Sequence, residues 1–160
     1  MNHRQDVFVA FQFEAPKSII RTFLGKISRI WRHEPQKSRY RILLDDVIQP
    51  VCDNWRYGAF GIADVEFNGS ILDKILMCID KSIFVIVDLT FNNNGAYYEA
   101  GYARGKGKSV IHTCSKAWFE KNKVHFDVSG LNLVLYENDE DFKHKLKKRI
   151  DGSFTEWCPK

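Results

Sequence analysis

The chain has 160 residues, of which 44% are hydrophobic and 14% aromatic, and only four are proline. This composition predicts one folded domain, 1–160, with its own apolar core, and it excludes a disordered chain. A formal net charge of +4 suits anionic small molecules but is too modest to indicate nucleic acid. The chain shows no signal peptide and no apolar segment of membrane-spanning length, and its four cysteines stand far apart. A cytoplasmic protein with no membrane partner and no disulfides is therefore expected.

The first third of the chain predicts one strand and two helices. Residues 7–13 form a continuous apolar run and predict the first, central strand, in which Gln12 is the one polar residue. Apolar spacing from Ser18 onward predicts an amphipathic helix. A second helix is expected over residues 42–54, where Pro50 either kinks or divides it.

Residues 60–65 predict the second strand, and a helix over residues 71–81 follows it. Between them, Gly69 belongs to a turn and Ser70 is the expected N-cap. Asp73 then lies in the first turn of this helix. Its apolar positions are expected to face the core: Ile71, Leu72, Ile75, Leu76 and Ile79.

Residues 83–113 contain the unit around which the chain is organised. An apolar run over residues 83–87 predicts a buried strand, which Asp88 ends. The asparagine-rich loop that follows is suited to a turn and to a helix N-cap. One asparagine is expected to cap the helix, one to shape the turn and one to reach a ligand: Asn92, Asn93 and Asn94.

A short helix over residues 96–104 and a strand over residues 109–113 complete this unit. Small residues along the helix allow close packing on a sheet, and Glu99 lies about one turn into it. A strand–helix–strand unit implies a parallel sheet with a right-handed crossover. Such sheets bind ligands outside the carboxyl ends of their strands. Glu99 is therefore expected to face the mouth of a cleft.

The remaining residues predict a fifth strand over 132–136 and a helix over 139–150, followed by an irregular tail. The helix has acidic residues in its first turn and basic ones in its last, which complements the helix dipole. Its basic residues 143–149 are interpreted as a solvated face, with nucleic-acid contact as the alternative. Five strands alternating with helices predict a three-layer, doubly wound α/β domain that is flavodoxin-like, with strand order 2-1-3-4-5.

Missing motifs exclude several kinds of site. The chain has no G-x-G-x-x-G after its first strand, no P-loop, no G-x-S-x-G and no His or Cys pair at metal-ligand spacing. What remains is a set of carboxylates that a doubly wound sheet can bring to one edge: Asp73, Asp88 and Glu99. A carboxylate without a metal can stabilise an oxocarbenium-like transition state or attack the anomeric carbon of a sugar. Aromatic residues are candidates for a wall on which a base stacks: Phe13, Tyr97 and Tyr98.

Three segments carry a resemblance to a known group: VFVAFQF at residues 7–13, GSILDKI at 69–75 and IVDLTFNNNGAYYEAGYARGKGKSVI at 86–111. With these segments the chain resembles the nucleoside 2-deoxyribosyltransferase-like superfamily and its TIR-like relatives. In that group a strand ending in Asp is followed by an Asn-rich loop, a Y-E-x-G-x-A motif and a G-K turn. The later HFDVSGLN segment also resembles a TIR-like feature.

This resemblance implies roles for individual residues. Glu99 would be the nucleophile or the stabiliser of the oxocarbenium ion, and Asp73 would serve the base or its proton. Asn93 falls where the transferases carry an aspartate, a departure that leaves hydrolysis as an alternative to transfer. A second departure is an insert at about residues 16–40, which is expected to form a lid or an oligomer contact. The residues expected to contact substrate are Gln12, Phe13, Asp64, Gly69, Ser70, Asp88, Asn94 and Tyr98.

Some of these residues also have structural interpretations. Glu99 can be an acid favoured by the helix dipole, Asp73 can be only an acid at a helix start, and Asp88 can bond loop amides at the end of its strand. Asp64 is expected either to end the second strand or to bond a ribose hydroxyl.

Three functions stay open at this point. The first is an N-glycosidase or glycosyltransferase that acts on a nucleoside, a nucleotide or NAD, without a cofactor and as a homo-oligomer. The second is a non-catalytic, TIR-like nucleotide-binding module that senses a signal or scaffolds an assembly. The third is a flavodoxin-like interaction domain without a ligand.

Overall fold

The structure, a computed structural model, describes residues 4–11 and 38–157, with side chains described as far as Ser153. Within these residues the chain forms one five-stranded parallel sheet in the order β2-β1-β3-β4-β5. The predicted flavodoxin-like topology is therefore confirmed. The strands are β1 (Gln5–Ala10), β2 (Tyr57–Phe60), β3 (Phe84–Asp88), β4 (Ser109–Ser115) and β5 (Val134–Tyr136).

Helices cover both faces of this sheet. In the described residues they are α1 (Arg39–Ile42, Leu43–Ile48 and Gln49–Asp53 in succession), α2 (Ile71–Lys81), α3 (Asn94–Gly105), α4 (Lys116–Asn122), α5 (Phe126–Ser129) and α6 (Asp139–Trp157). A short 3₁₀ turn at Ile62–Asp64 follows β2, and an irregular turn at Thr90–Asn92 follows β3. None of these helices is both long enough and apolar enough to cross a membrane.

The central strand β3 divides the core into two layers. Phe84 and Ile86 belong to the cluster formed with α1 and α6, whereas Val85 and Val87 belong to the cluster formed with α2 and α3. Every residue of β3 is buried, because helices cover both faces of the sheet. This double burial explains why the sequence shows a continuous apolar run there instead of alternation.

Helix α1 runs through Pro50 without being divided. Its middle segment, Leu43–Ile48, is π-helical, and the N–H of Gln49 donates to the carbonyl of Leu44, five residues earlier. This π segment lies just before Pro50, at the place where a proline in a regular α-helix removes one hydrogen bond and crowds the carbonyl four residues earlier. The helix also begins at Arg39, earlier than predicted.

The second strand lies earlier than predicted, so the expectation for residues 60–65 was wrong. Tyr57–Phe60 pairs with β1, while Ile62–Asp64 forms a 3₁₀ turn. This strand was not recognised in the sequence because Gly58 and Ala59 are small residues of low β-propensity, which interrupt the run of large apolar side chains that usually indicates a strand.

Two further features of the helices differ from the prediction. Ile71 and Leu72 of α2 are 57% and 43% exposed, although their spacing predicted a core position. They continue the stripe of the buried Ile79, but they lie in the first turn of the helix, where it has not yet packed over the sheet. Helix α6 extends to Trp157 instead of ending near residue 150, and the Oγ of Ser153 donates to the carbonyl of Arg149 within it.

Candidate active site

Helix α3 places Glu99 between the sheet and helix α2. Its buried alanines face the sheet: Ala96, Ala100 and Ala103. On its flank, the Oη of Tyr102 donates to Oδ2 of Asp80 on α2 over 3.0 Å. At about 100° per residue, Glu99 lies between these two directions. Because helical side chains lean toward the helix N-terminus, its carboxyl leans toward the carboxyl edge of the sheet.

The carboxyl group of Glu99 is partly buried, and burial raises its pKa to about 7. Desolvation is the cause, because a charged carboxylate loses water contacts that the protein does not replace. Among the described residues no hydrogen-bond donor and no cation reaches this side chain. A carboxylate in such surroundings is a candidate for chemistry, since a group needed only for stability is usually paired.

Asp73 lies on the neighbouring helix, closer to the carboxyl edge of the sheet. Helices α2 and α3 run in the same direction, and the Tyr102–Asp80 hydrogen bond fixes their register. At 1.5 Å per residue, that register places Asp73 roughly one helical turn beyond the level of Glu99. Asp73 is exposed, and its backbone N–H donates to the Oγ of Ser70 over 3.2 Å. The predicted N-cap role of Ser70 is thereby confirmed.

The loop between β3 and α3 uses its asparagines in different ways. Phe91 and Asn92 both adopt left-handed backbone conformations, with φ of 70° and 53°. Oδ1 of Asn92 accepts a hydrogen bond from the Oη of Tyr97 over 2.8 Å, which holds this strained turn. Asn93 caps α3, with its Oδ1 accepting from the N–H of Gly95 over 2.9 Å. Asn94 is exposed at the first position of the helix.

Asp88 faces the layer opposite to Glu99. Its Oδ2 accepts hydrogen bonds from the hydroxyls of Thr113 at 2.8 Å and Tyr136 at 3.0 Å, and its Oδ1 accepts from the N–H of Thr90. Burial raises the pKa of this carboxyl, and the hydrogen bonds oppose that rise. The side chain thus ties together the carboxyl ends of β3, β4 and β5. The structure does not bring it to Glu99, because adjacent strand positions alternate between faces.

Asp64 belongs to the 3₁₀ turn after β2 and does not end a strand, so that expectation was wrong. Its Oδ2 accepts from the N–H of Gly61 over 2.9 Å, and its Oδ1 pairs with Arg41 of α1. A Cβ added to Gly61 would lie 1.9 Å from the Oη of Tyr40, so the glycine permits close packing of α1 on this turn. A contact between Asp64 and a ribose stays a prediction.

The other candidate residues are distributed around the carboxyl edge. Gly69 has a φ of 108°, a conformation that favours glycine, in the turn before α2. Tyr98 is 52% exposed and lies on the side of α3 away from the sheet. Tyr97 lies on the flank away from α2, where its Oη accepts from the N–H of His125. Neither tyrosine is brought to Glu99. Gln12, Phe13 and almost all of the insert at 16–40 lie outside the described residues.

The side chains that pair with Asp88 and Asp64 were not predicted from the sequence. Thr113 and Tyr136 stand at the ends of predicted strands, and polar residues at adjacent carboxyl ends of a parallel sheet are a signal that they meet. Arg41 carried no such signal, because its contact with Asp64 depends on how α1 crosses the sheet. In the described part of the chain, no three His, Cys, Asp or Glu side chains cluster as a metal site requires.

Comparisons with known proteins show similarity in structure only. No protein-family model matches the sequence, and no curated protein matches it. Among solved structures, the CMP N-glycosidase BcmB of Clostridium botulinum has a TM-score of 0.53 at 13% identity, covering 90% of this chain and 99% of that one. A 2-deoxyribosyltransferase from Leishmania mexicana has a TM-score of 0.55 at 14% identity, covering 97% of this chain and 99% of that one.

At these identities the similarity establishes the fold alone. The match covers 99% of each of the two similar structures, and in this chain it includes the five-stranded parallel sheet that the sequence predicted. The resemblance found in the sequence is therefore confirmed at the level of architecture: the chain has the nucleoside 2-deoxyribosyltransferase-like fold.

Proposed function

We propose that this protein cleaves the N-glycosidic bond of a nucleoside or a nucleotide, with Glu99 as the carboxylate that meets the anomeric carbon. The observation that carries the proposal is the setting of Glu99: a partly buried carboxyl, without a described polar partner, whose pKa is raised to about 7. The N-glycosidase and the deoxyribosyltransferase of similar fold support the same reaction class.

The chemistry of this setting favours a sugar that becomes positively charged. As the bond to the base breaks, the anomeric carbon develops oxocarbenium character. An ionised Glu99 with little water around it interacts more favourably with this positive charge than with the neutral sugar of the bound substrate. The interaction therefore strengthens in the transition state, which is the condition for catalysis. Attack by the same oxygen on the anomeric carbon gives a glycosyl-enzyme intermediate.

The neighbouring residues supply the remaining roles in this proposal. Asp73, exposed in the first turn of α2, receives or delivers a proton at the departing base. Asn93 uses its Oδ1 for the helix cap, which leaves its Nδ2 as a donor to the sugar. With an asparagine at this position, water is as suitable an acceptor of the glycosyl group as a second base. The chemistry needs no metal and no cofactor, and NAD is included as a substrate because it carries the same type of bond.

The test is release of free base from a panel of nucleosides, deoxynucleosides, nucleotides and NAD, measured by chromatography. We expect release by the wild type and a loss of at least about 10²-fold in Glu99→Gln, which keeps the shape and removes the charge. Glu120→Gln, on the exposed surface of α4, is the matched control and keeps full activity. Equal rates in the wild type and Glu99→Gln would reject the role of Glu99.

The same samples address the non-catalytic alternative. If no substrate releases base, but one nucleotide raises the melting temperature and does so less in Glu99→Gln, the site binds without reacting. That result replaces the enzymatic proposal with a nucleotide-binding module. Adding a second free base to the reaction separates transfer from hydrolysis, because transfer yields a new nucleoside and hydrolysis yields a free sugar. Sedimentation of the wild type tests the expected homo-oligomer.

A further inference from the structure

A cleft of about 760 Å³ lies at the outer edge of the sheet, beside β5 and helix α6 and away from the Glu99 site. Its apolar side is formed by Val110 of β4, by Leu133 directly before β5 and by Leu135 of β5, which lie on the face of the sheet opposite α6. Its other side is formed by three basic residues of α6: Lys145, Lys148 and Arg149. None of the described residues that line it carries a carboxylate side chain. Its volume lies in the range of sites for small molecules.

The basic residues of α6 differ in how far their charge is compensated. Lys143, Lys145 and Lys147 each pair with a carboxylate of α6 within 3.0 Å. In the described residues, Lys148 and Arg149 pair with no carboxylate. The two cations of this helix that have no described carboxylate partner therefore both line the cleft. On a basic face that is only solvated, we expect paired and unpaired cations to be mixed along the helix.

Two of these cations are held in place by the strand beside them. Arg149 donates from Nη1 to the carbonyl of Asn132 over 2.7 Å and from Nη2 to its Oδ1 over 2.9 Å. Nζ of Lys145 donates to the carbonyl of Leu135 over 2.9 Å and to Oδ2 of Asp141 over 2.8 Å. Arg149 and Lys145 therefore need little further ordering to bind an anion, which lowers the entropic cost of binding for these two side chains.

A buried histidine nearby also reports positive potential. His112 of β4 lies on the same face of the sheet as Val110, and its Nε2 is buried without a hydrogen-bond partner. Burial, together with the charges of Arg104 and Arg149, lowers its pKa to about 4. In the described residues no acid offsets those two charges at His112, so this corner of the molecule favours an anion.

We infer that this cleft binds a small phosphate ester, with the phosphate at Lys148 and Arg149 and the apolar part of the molecule on Val110, Leu133 and Leu135. A phosphate attached to a flat or aliphatic group satisfies both sides of the cleft, whereas inorganic phosphate satisfies one. The site is separate from the candidate active site and does not depend on the proposed activity.

The experiment is a titration of ¹⁵N-labelled wild-type protein with phenyl phosphate, inorganic phosphate and phenol, followed by amide chemical shifts. We expect saturable shifts with phenyl phosphate at Val110, Leu133 and Arg149, weaker binding of inorganic phosphate, and none of phenol. Lys148→Glu is expected to weaken phenyl phosphate at least about tenfold, since a charge-assisted hydrogen bond is replaced by repulsion. Lys121→Glu, which makes the same charge change on the exposed surface of α4, is the matched control.

Three results would overturn the inference. One is the absence of saturable shifts at these amides. Another is an equal loss of affinity in Lys148→Glu and Lys121→Glu, which shows that net charge alone attracts the anion. The third is that shifts move only amides at the first turns of α2 and α3, which assigns the phosphate to the Glu99 site instead.

Discussion

Replacing Glu99 by Gln should stabilise the protein at alkaline pH while it removes activity. The pKa of this carboxyl rises from 4.5 in the unfolded chain to about 7 in the folded protein. The folded protein therefore holds the proton more tightly than the unfolded chain does. The protonated Glu99 carboxyl therefore makes its full contribution to the free energy of unfolding below about pH 4.5. That contribution is lost as the pH rises through 7.

The size of the effect follows from the two pKa values. A tenfold difference in proton affinity is worth about 1.4 kcal/mol, so an ionised Glu99 costs about 3 kcal/mol at pH 8.5 and less than about 1 kcal/mol at pH 5. Water that enters the site reduces the first figure, which makes it an upper limit. For a chain of this length it corresponds to a rise in melting temperature of roughly 6–12 °C at pH 8.5.

The assay is urea unfolding of the wild type and Glu99→Gln at pH 5 and pH 8.5, with Glu120→Gln as the control. A buried glutamine amide adds its own cost of about 1 kcal/mol, but that cost is the same at both pH values. The diagnostic quantity is therefore the change in the stability difference between the two pH values. If this difference is unchanged, Glu99 ionises as an ordinary surface acid, and the desolvated site described above does not exist.

Three other outcomes follow from the same structure. If Glu99 acts as an ionised carboxylate, kcat/KM for base release rises with pH to a plateau with a midpoint near 7; a fall over the same range would assign it the role of an acid instead. Gly61→Ala should destabilise the protein by about 1–3 kcal/mol, because its Cβ would meet the Oη of Tyr40, and Tyr40→Phe in the same chain should recover part of that loss in urea unfolding. Asp88→Ala should lower the free energy of unfolding by about 3 kcal/mol, because it leaves several buried donors unpaired. Tyr136→Phe should lower it by only about 1 kcal/mol, because it removes one hydrogen bond. Equal losses of stability in calorimetry would contradict this hydrogen-bond network.

The sequence by itself determined the parallel sheet, its strand order and most of the helices. The apolar run of β3 and the small-residue helix α3 are local patterns, and their order along the chain leaves few ways to build a layered sheet. The N-cap at Ser70 was equally local, because a serine before an apolar helical stripe contains the whole signal. Local patterns failed at β2, where Gly58 and Ala59 carry little side chain to reveal the strand.

Tertiary structure alone decided which acids share a site. Asp88 and Glu99 are close in sequence and were expected at one edge, but strand alternation turns Asp88 toward Tyr136 and the opposite layer. The raised pKa of Glu99 is also invisible in the sequence, since it depends on how closely α3 lies against the sheet and α2. Secondary structure follows from neighbours along the chain, whereas burial of a charge follows from neighbours across space, which the chain order does not specify.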